Sequence, residues 1–188
     1  MTELTETPKK EYAIDKLVRL LVQMAEPSKG HKSDRGTLAA LRAWSREASR
    51  HLAFAPMADL LNRSGIGTNR LDDPVWTAIP VLFAWHRRHT AEPWHNFGTT
   101  CRNLASEKRE TFDAHFRRIL ACDSLESLLA LLPTYVRRAE AEAASINYAR
   151  LYWDLNVWRK SPEDARAIKV AWAKEYFRAP DEPNNDTP

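Results

Sequence analysis

An all-α protein of two small helical domains, the second a helical bundle, is the fold this sequence predicts. Only five glycines occur in 188 residues, and long stretches are rich in Ala, Leu, Arg and Glu. No alternating apolar and polar run with turn signals is long enough to sustain a sheet. Hydrophobic residues make up 44% of the chain and charged residues 28%, an ordinary balance for an ordered soluble protein. Seven Trp, six Phe and five Tyr supply the volume for real cores.

The elements follow in order. Ile14, Leu17, Val18, Leu21, Val22 and Ala25 repeat at helical spacing before Pro27, predicting a first helix over 11–26. Ser33 or Asp34 caps a second helix whose apolar stripe is Leu38, Leu41, Ala48 and Leu52, with Trp44 beside it. A short helix over 56–63 ends in the loop Ser64-Gly65-Ile66-Gly67-Thr68-Asn69, which lacks the preceding strand and third glycine of a nucleotide loop and reads as loop geometry. Asp73-Pro74 opens a helix that buries Val75, Ile79, Leu82 and Phe83, with Trp76 or Trp85 beside them, and that Pro80 should bend or divide. Residues 91–96 link the halves. Helices are expected over 97–105 and 107–122, then from Ser124 through Leu125, Leu128, Leu129, Leu131, Leu132 and Val136 with a kink at Pro133. Asn147 caps a helix over 148–158, and Ser161-Pro162-Glu163-Asp164 starts the last one. The expected division is 1–94, 95–178 and a flexible tail over 179–188.

The net charge is only +3, but it is unevenly placed. Residues 29–118 hold 15 Lys/Arg against 9 Asp/Glu, and residues 119–178 hold 9 against 8, so a phosphate-bearing partner should be met mainly by the first two thirds. Met1-Thr2-Glu3-Leu4-Thr5-Glu6 is no signal peptide. No apolar run approaches membrane-spanning length, and two distant cysteines fit a reducing, cytoplasmic setting.

Arg42, Arg46 and Arg50 are four residues apart. On a continuous helix they would form a ladder with steps of about 6 Å, about 12 Å long and matched to roughly three phosphates of one strand. Lys29, Lys32 and Arg35 extend it toward the N-terminus. Lys108, Arg109, Arg117 and Arg118 form a second basic group that Arg102 could join, with Phe112 and Phe116 facing inward. Arg137 and Arg138 read as dipole-stabilising residues at a helix end, and Lys169 and Arg166 as solvated charges. Trp44 could stack on a base but reads better as core, and Trp153 and Trp158 read as a bundle face.

Catalytic chemistry finds little support. His86, His89, His95 and Cys101 have no compact metal-binding spacing and read as polar helix-end residues. Asp72 and Asp73 read as caps, the other aspartates are dispersed, and Cys101 and Cys122 lack an activating partner. The expectation is a non-enzyme with no cofactor, no metal and no catalytic residue. Phosphate-directed arginines position a backbone without specifying bases.

Three blocks carry a family resemblance: Asp34-Arg35-Gly36-x-x-Ala39-Ala40-Leu41-Arg42; Phe97-Gly98-x-x-x-Arg102-x-Leu104; and Asn147-Tyr148-Ala149-x-Leu151-x-x-Asp154-Leu155-x-x-Trp158 followed by Val170-x-Trp172-Ala173-x-x-Tyr176-Phe177. In order and separation the chain resembles, over about residues 12 to 178, the CasB family, the small subunit of the type I-E CRISPR complex Cascade. The resemblance implies an all-helical, two-domain, non-enzymatic subunit present in two copies. It implies partners too: other Cascade subunits, the guide RNA, the target DNA and the displaced single-stranded DNA, with no membrane. Guide pairing would supply the sequence specificity and the basic face an electrostatic rail that stabilises the R-loop. The motif match favours Arg42 first and Arg35 next. Where the family often has an arginine before the phenylalanine of the 107–122 helix, this chain has His115 before Phe116, so Arg117 or Arg118 is expected to supply the charge, and any His115 contact would depend on pH. The alternatives are an adaptor whose basic residues bind acidic protein surfaces and a helical DNA-binding regulator, for which no helix-turn-helix signal is found.

Overall fold

The computed structural model describes residues 12–26, 33–105 and 109–179, apart from the side chains of 109–111. Its α-helices are α1 (Ala13–Ala25), α2 (Arg35–Ala43), α3 (Phe54–Arg63), α4 (Pro74–Trp85), α5 (Phe97–Leu104), α6 (Arg109–Leu120), α7 (Leu125–Ala141), α8 (Tyr148–Trp158) and α9 (Pro162–Phe177), with 3-10 helices at Glu47–Ala53 and Thr68–Arg70. The fold is all-α.

Most helix starts are set by a side chain that takes an orphan backbone N–H. Asp34 accepts from Thr37 N, Asp73 from Val75 N, Ser124 from Ser127 N, Asn147 from Arg150 N and Ser161 from Asp164 N, all at 2.9–3.1 Å. Asn96 does the same for Thr99 N. Gly65, at φ 82°, lets the chain leave α3 in the left-handed conformation that a Cβ would disfavour.

α4 organises the molecule. Its residues Val75, Thr77 and Ile79 through Ala84 are buried, so it is apolar nearly all round and needs cover on every side. α1 and α2 pack on it from one half and α7 and α8 from the other. The buried side chains of both halves form one contiguous core. Arg159, just past α8, ties across to the α4 cap Asp73 at 2.8 Å. Pro80 and Pro133 lie inside α4 and α7 without dividing either helix.

In the second half α5 and α9 press together around Gly98. A Cβ there would stand 2.0 Å from the Trp172 carbonyl oxygen, so only glycine admits this crossing. The Trp172 indole N–H donates to buried Asp154 at 2.7 Å, whose other oxygen accepts from Arg150 Nε at 3.0 Å. α6 docks through Phe116, stacked on Tyr176 at 4.0 Å between ring centroids, and the Tyr176 hydroxyl donates to Asp113 at 2.6 Å.

The expected helix from 34 to 52 does not form. α2 stops at Ala43 because side chains take the carbonyls that its next turn would use: Ser45 Oγ donates to Arg42 O, Ser49 Oγ to Ala43 O and Arg50 Nε to Trp44 O. Such local bonds compete with helix continuation. Consequently Leu52, expected in the core, is 60% exposed, and Ala48 is exposed too. Trp153 also leaves the bundle face and is 44% exposed, whereas Trp158 is buried as expected.

A polar seam joins the segment after α4 to the segment before α8. His86 Nε2–H donates to Ala144 O at 2.7 Å, His95 Nε2–H to Ser145 O at 3.0 Å and His89 Nδ1–H to Ile146 O at 3.2 Å. Three imidazoles thus serve three consecutive carbonyls. Backbone bonds from Thr90 N to Ile146 O and from Ile146 N to Arg88 O, and a side-chain bond from Asn147 Nδ2 to Glu92 O, complete it. Ala143, at φ 54°, turns the chain from α7 into this seam.

Candidate nucleic-acid interface

The break after Ala43 dissolves the arginine ladder. Arg42 sits in the last turn of α2, Arg46 has extended backbone (φ −112°, ψ 118°) and Arg50 belongs to the following 3-10 helix, so the three no longer rise from one helix face. Arg46 and Arg50 remain exposed, with Arg50 folded back over Trp44 at 5.9 Å. Trp44, expected in the core, is half-buried and packs against Phe54. Arg35 is exposed at the first turn of α2, two turns from Arg42 on the same face.

A different basic constellation replaces the ladder. Arg42 turns inward to α4, its Nε donating to Ala84 O at 2.8 Å, and places its guanidinium 5.5 Å from the centre of the Trp85 ring. Arg137, reaching from α7, stands 5.1 Å from the same ring, with Nε on Pro133 O. Trp85 is half-buried. Arg87 lies close enough to repel Arg42, which together with the larger effect of desolvation lowers the Arg42 pKa, while Glu140 acts weakly the other way.

The next residue along α7 continues the surface. Arg138 covers Phe112 at 4.8 Å, and Arg118 is near enough to Tyr135 to influence its ionisation, as is Arg138. Arg117 and Arg118 are exposed on α6. Two basic groups, Arg42, Arg87 and Arg137 around Trp85 and Arg138 and Arg118 around Phe112 and Tyr135, meet at the consecutive positions 137 and 138 of α7 and together form a basic strip. Among the described residues none of these arginines forms an ion pair with a carboxylate; the ion pairs there use Arg63, Arg70, Arg150, Arg159 and Arg178. Guanidiniums held on aromatic rings are oriented and, without an ion pair, keep their charge available, which suits phosphate.

Residues 37–177 match the family described as CRISPR-associated protein Cse2. The chain belongs to the Cse2 family. Cse2 is the family also called CasB, and membership implies a CRISPR Cascade complex with other subunits. Among solved structures the chain is similar to CasB from Thermobifida fusca, with a TM-score of 0.56 and 15% identity over 87% of this chain and 98% of that one, a likeness of fold. A comparison with curated proteins returned no match.

Much of what marks this Cse2-family sequence is packing. Gly98, Asn147, Tyr148, Asp154, Trp158 and Trp172 build helix crossings, caps and the seam. Arg42 is both a packing residue, through Ala84 O, and a surface cation. Arg102 is half-buried on α5, beside His95 and apart from the Trp85 cluster. Lys29, Lys32 and Lys108 lie outside the described residues, as does the Arg109 side chain. His115 is exposed, its ring 6.3 Å from Phe112 between centroids, and its backbone carbonyl accepts from the Tyr135 hydroxyl at 2.7 Å.

His86 and His89, expected as helix-end groups facing the α4 dipole, belong instead to the seam. Burial is the main cause that lowers the pKa of His86, His89 and His95. Cys101 is fully buried and its thiol pKa is pushed far up, and burial raises Cys122 as well, so neither is poised as a nucleophile. Among the described residues no helix is long and apolar enough to cross a membrane.

Sequence reasoning did not single out Trp85, Arg137 or Arg138 for the candidate site, and read Arg87 only within the helix-end group His86-Arg87-Arg88-His89, as a dipole partner that could contact phosphate. One local signal was present: arginines on either side of a helix end, at 87–88 and 137–138, next to an aromatic residue. Only the packing of α7 on α4 brings them together.

Proposed function

We propose that this chain is the non-catalytic small subunit of a cytoplasmic type I-E Cascade complex, present in two copies. Its basic strip holds the backbone of guide RNA and of target or displaced DNA and so stabilises the R-loop. The observation that supports this reading is the strip of arginines mounted on Trp85 and Phe112, none of them ion-paired to a carboxylate among the described residues. Arg35, a cation placed at the positive end of α2, extends the strip's reach along that helix.

The contacts are to phosphates, so they give affinity and register and leave sequence to guide pairing. Single-stranded DNA should bind with a logarithmic salt slope of about −0.7 per phosphate contact. Replacing Arg42, Arg118 and Arg137 together with glutamine should make that slope shallower by about 2. An unchanged slope in a folded triple variant refutes the strip.

A second reading applies to one segment. Arg46, Arg50 and His51 stand exposed beside Leu52 and Phe54, which are 60% and 48% exposed. This mixture of cations and apolar surface suits an acidic protein partner better than a phosphate chain. The adaptor role thus falls to the segment 46–54. Substituting Leu52 and Phe54 with serine should weaken assembly with the other subunits and leave DNA binding by the isolated chain intact.

A further inference from the structure

Arg42 and Arg137 reach the Trp85 ring from the two sides of the chain's midpoint: α2 belongs to the half before the 91–96 link and α7 to the half after it. We infer that the Arg42, Trp85 and Arg137 bracket, with Arg87 beside it, is a seat for one phosphodiester group whose occupation tightens α7 against α2 and α4. The inference rests on the nucleic-acid reading above and adds to it a ligand geometry and a linkage between binding and packing.

Three observations carry it. Both guanidiniums lie within 5.5 Å of one ring centre, so their centres stand at most about 11 Å apart, which is the full span that one phosphate reached by a terminal nitrogen from each side can bridge. Each Nε is already committed to a helix carbonyl, Arg42 to Ala84 O and Arg137 to Pro133 O, which fixes each fork and leaves its terminal nitrogens to a ligand. The cluster is also electrostatically crowded. Arg87 repels Arg42, and the carboxylate that partly offsets them, Glu140, is exposed and forms no ion pair among the described residues.

A bound phosphate converts that repulsion into two charge-assisted contacts, one on each half. Anything that binds the packed arrangement preferentially also stabilises it. Nucleic acid would then act on the chain as a clamp between α2 and α7, as well as being held by it.

The test uses the full chain at low salt, with inorganic pyrophosphate and a short oligothymidylate as separate probes. Both should raise the Tm and slow amide exchange over 81–86 and 136–141. Arg137→Gln should lose that slowing and bind the oligonucleotide about tenfold more weakly. Arg118→Gln, outside the seat, should bind more weakly yet keep the slowing. Arg87→Gln gives an independent second variant and should reduce the slowing without removing either ring contact.

Undiminished slowing in both Arg137→Gln and Arg87→Gln overturns the seat, as does oligonucleotide binding by the wild type without any slowing in these segments. In the latter case the nucleic-acid reading survives alone. Slowing by pyrophosphate without oligonucleotide binding would leave a site for free phosphates and overturn both the phosphodiester seat and the nucleic-acid reading.

Discussion

Trp85 and His86 are adjacent in sequence and open onto opposite kinds of surface. Trp85 faces outward, bracketed by Arg42 and Arg137, whose charge no described carboxylate pairs with. His86 faces inward, its Nε2–H on Ala144 O and its Nδ1 at 2.9 Å from the Tyr148 hydroxyl. Both regions join the two halves of the chain and both are rich in nitrogen donors. They differ in whether the protein supplies the acceptors. The seam matches each imidazole to a backbone carbonyl, whereas Arg42 and Arg137 each spend Nε on a helix carbonyl and form no ion pair among the described residues, which is what the proposed phosphate contact would use. A dense group of basic side chains therefore identifies a ligand surface only after its internal partners have been subtracted.

The seam should dominate stability. His86→Ala leaves the Ala144 carbonyl without its imidazole donor and opens a cavity, a loss of about 3 kcal/mol measurable by denaturant unfolding. The Tyr148 hydroxyl keeps the backbone carbonyl of residue 86 at 2.8 Å. The salt slope of DNA binding by the folded variant should not change. A loss under about 1 kcal/mol would place the seam among ordinary surface contacts and break the comparison.

Acid should weaken the same region. His86, His89 and His95 have folded pKa values below their ordinary value of 6.5, chiefly through burial, so the unfolded chain binds protons more readily. Their contribution is fully present above pH 6.5 and is lost as pH falls below it toward the folded values. The charged groups acting on them include Glu140 and Arg88 for His86, Asp15 for His89, and Arg102 and Glu92 for His95. Asp154, whose pKa is raised by burial, works in the opposite direction from 3.8 upward. Unfolding midpoints measured from pH 7.5 to pH 5.5 should therefore fall; a flat profile would show that the imidazoles open to water at little cost.

Ala143→Gly relieves the left-handed backbone at the entrance to the seam and should stabilise the protein by about 0.5–1 kcal/mol, read as a raised unfolding midpoint. The smallest stability change belongs to the strip. Arg118→Gln with Arg137→Gln should alter stability by at most about 0.5 kcal/mol, yet flatten the DNA salt slope by about 1 to 2. Arg46→Ala, outside the strip, should leave both measurements unchanged.

The parts legible in the sequence were those whose physics is local. Asp34, Asp73, Ser124, Asn147 and Ser161 cap their helices as expected because a cap needs only a side-chain oxygen and an N–H two or three residues on. The all-helical fold followed from periodicity, which also placed Leu17, Leu21, Phe112 and Phe116 inside. The arginine ladder was misread because spacing does not reveal that Ser45, Ser49 and Arg50 capture the carbonyls of residues 42–44. The strip was hidden for a different reason. Arg42, Trp85, Arg137 and Phe112 are far apart in sequence, and their meeting depends on which face of α4 receives α7, a tertiary fact that no local window contains.

The contact of Gly98 with Trp172 bears on the order of synthesis. α5 emerges from the ribosome well before α9, the last of the described helices, yet its small-residue face has no cover until α9 arrives. α1, α2 and α4 can gather early, but the faces of α4 that receive α7 and α8 stay open, and α5, Asp154 and Phe116 must wait for Trp172 and Tyr176 to clear the exit tunnel. The second half should therefore close late and all at once, leaving its buried faces open to chaperones while the chain is still being made.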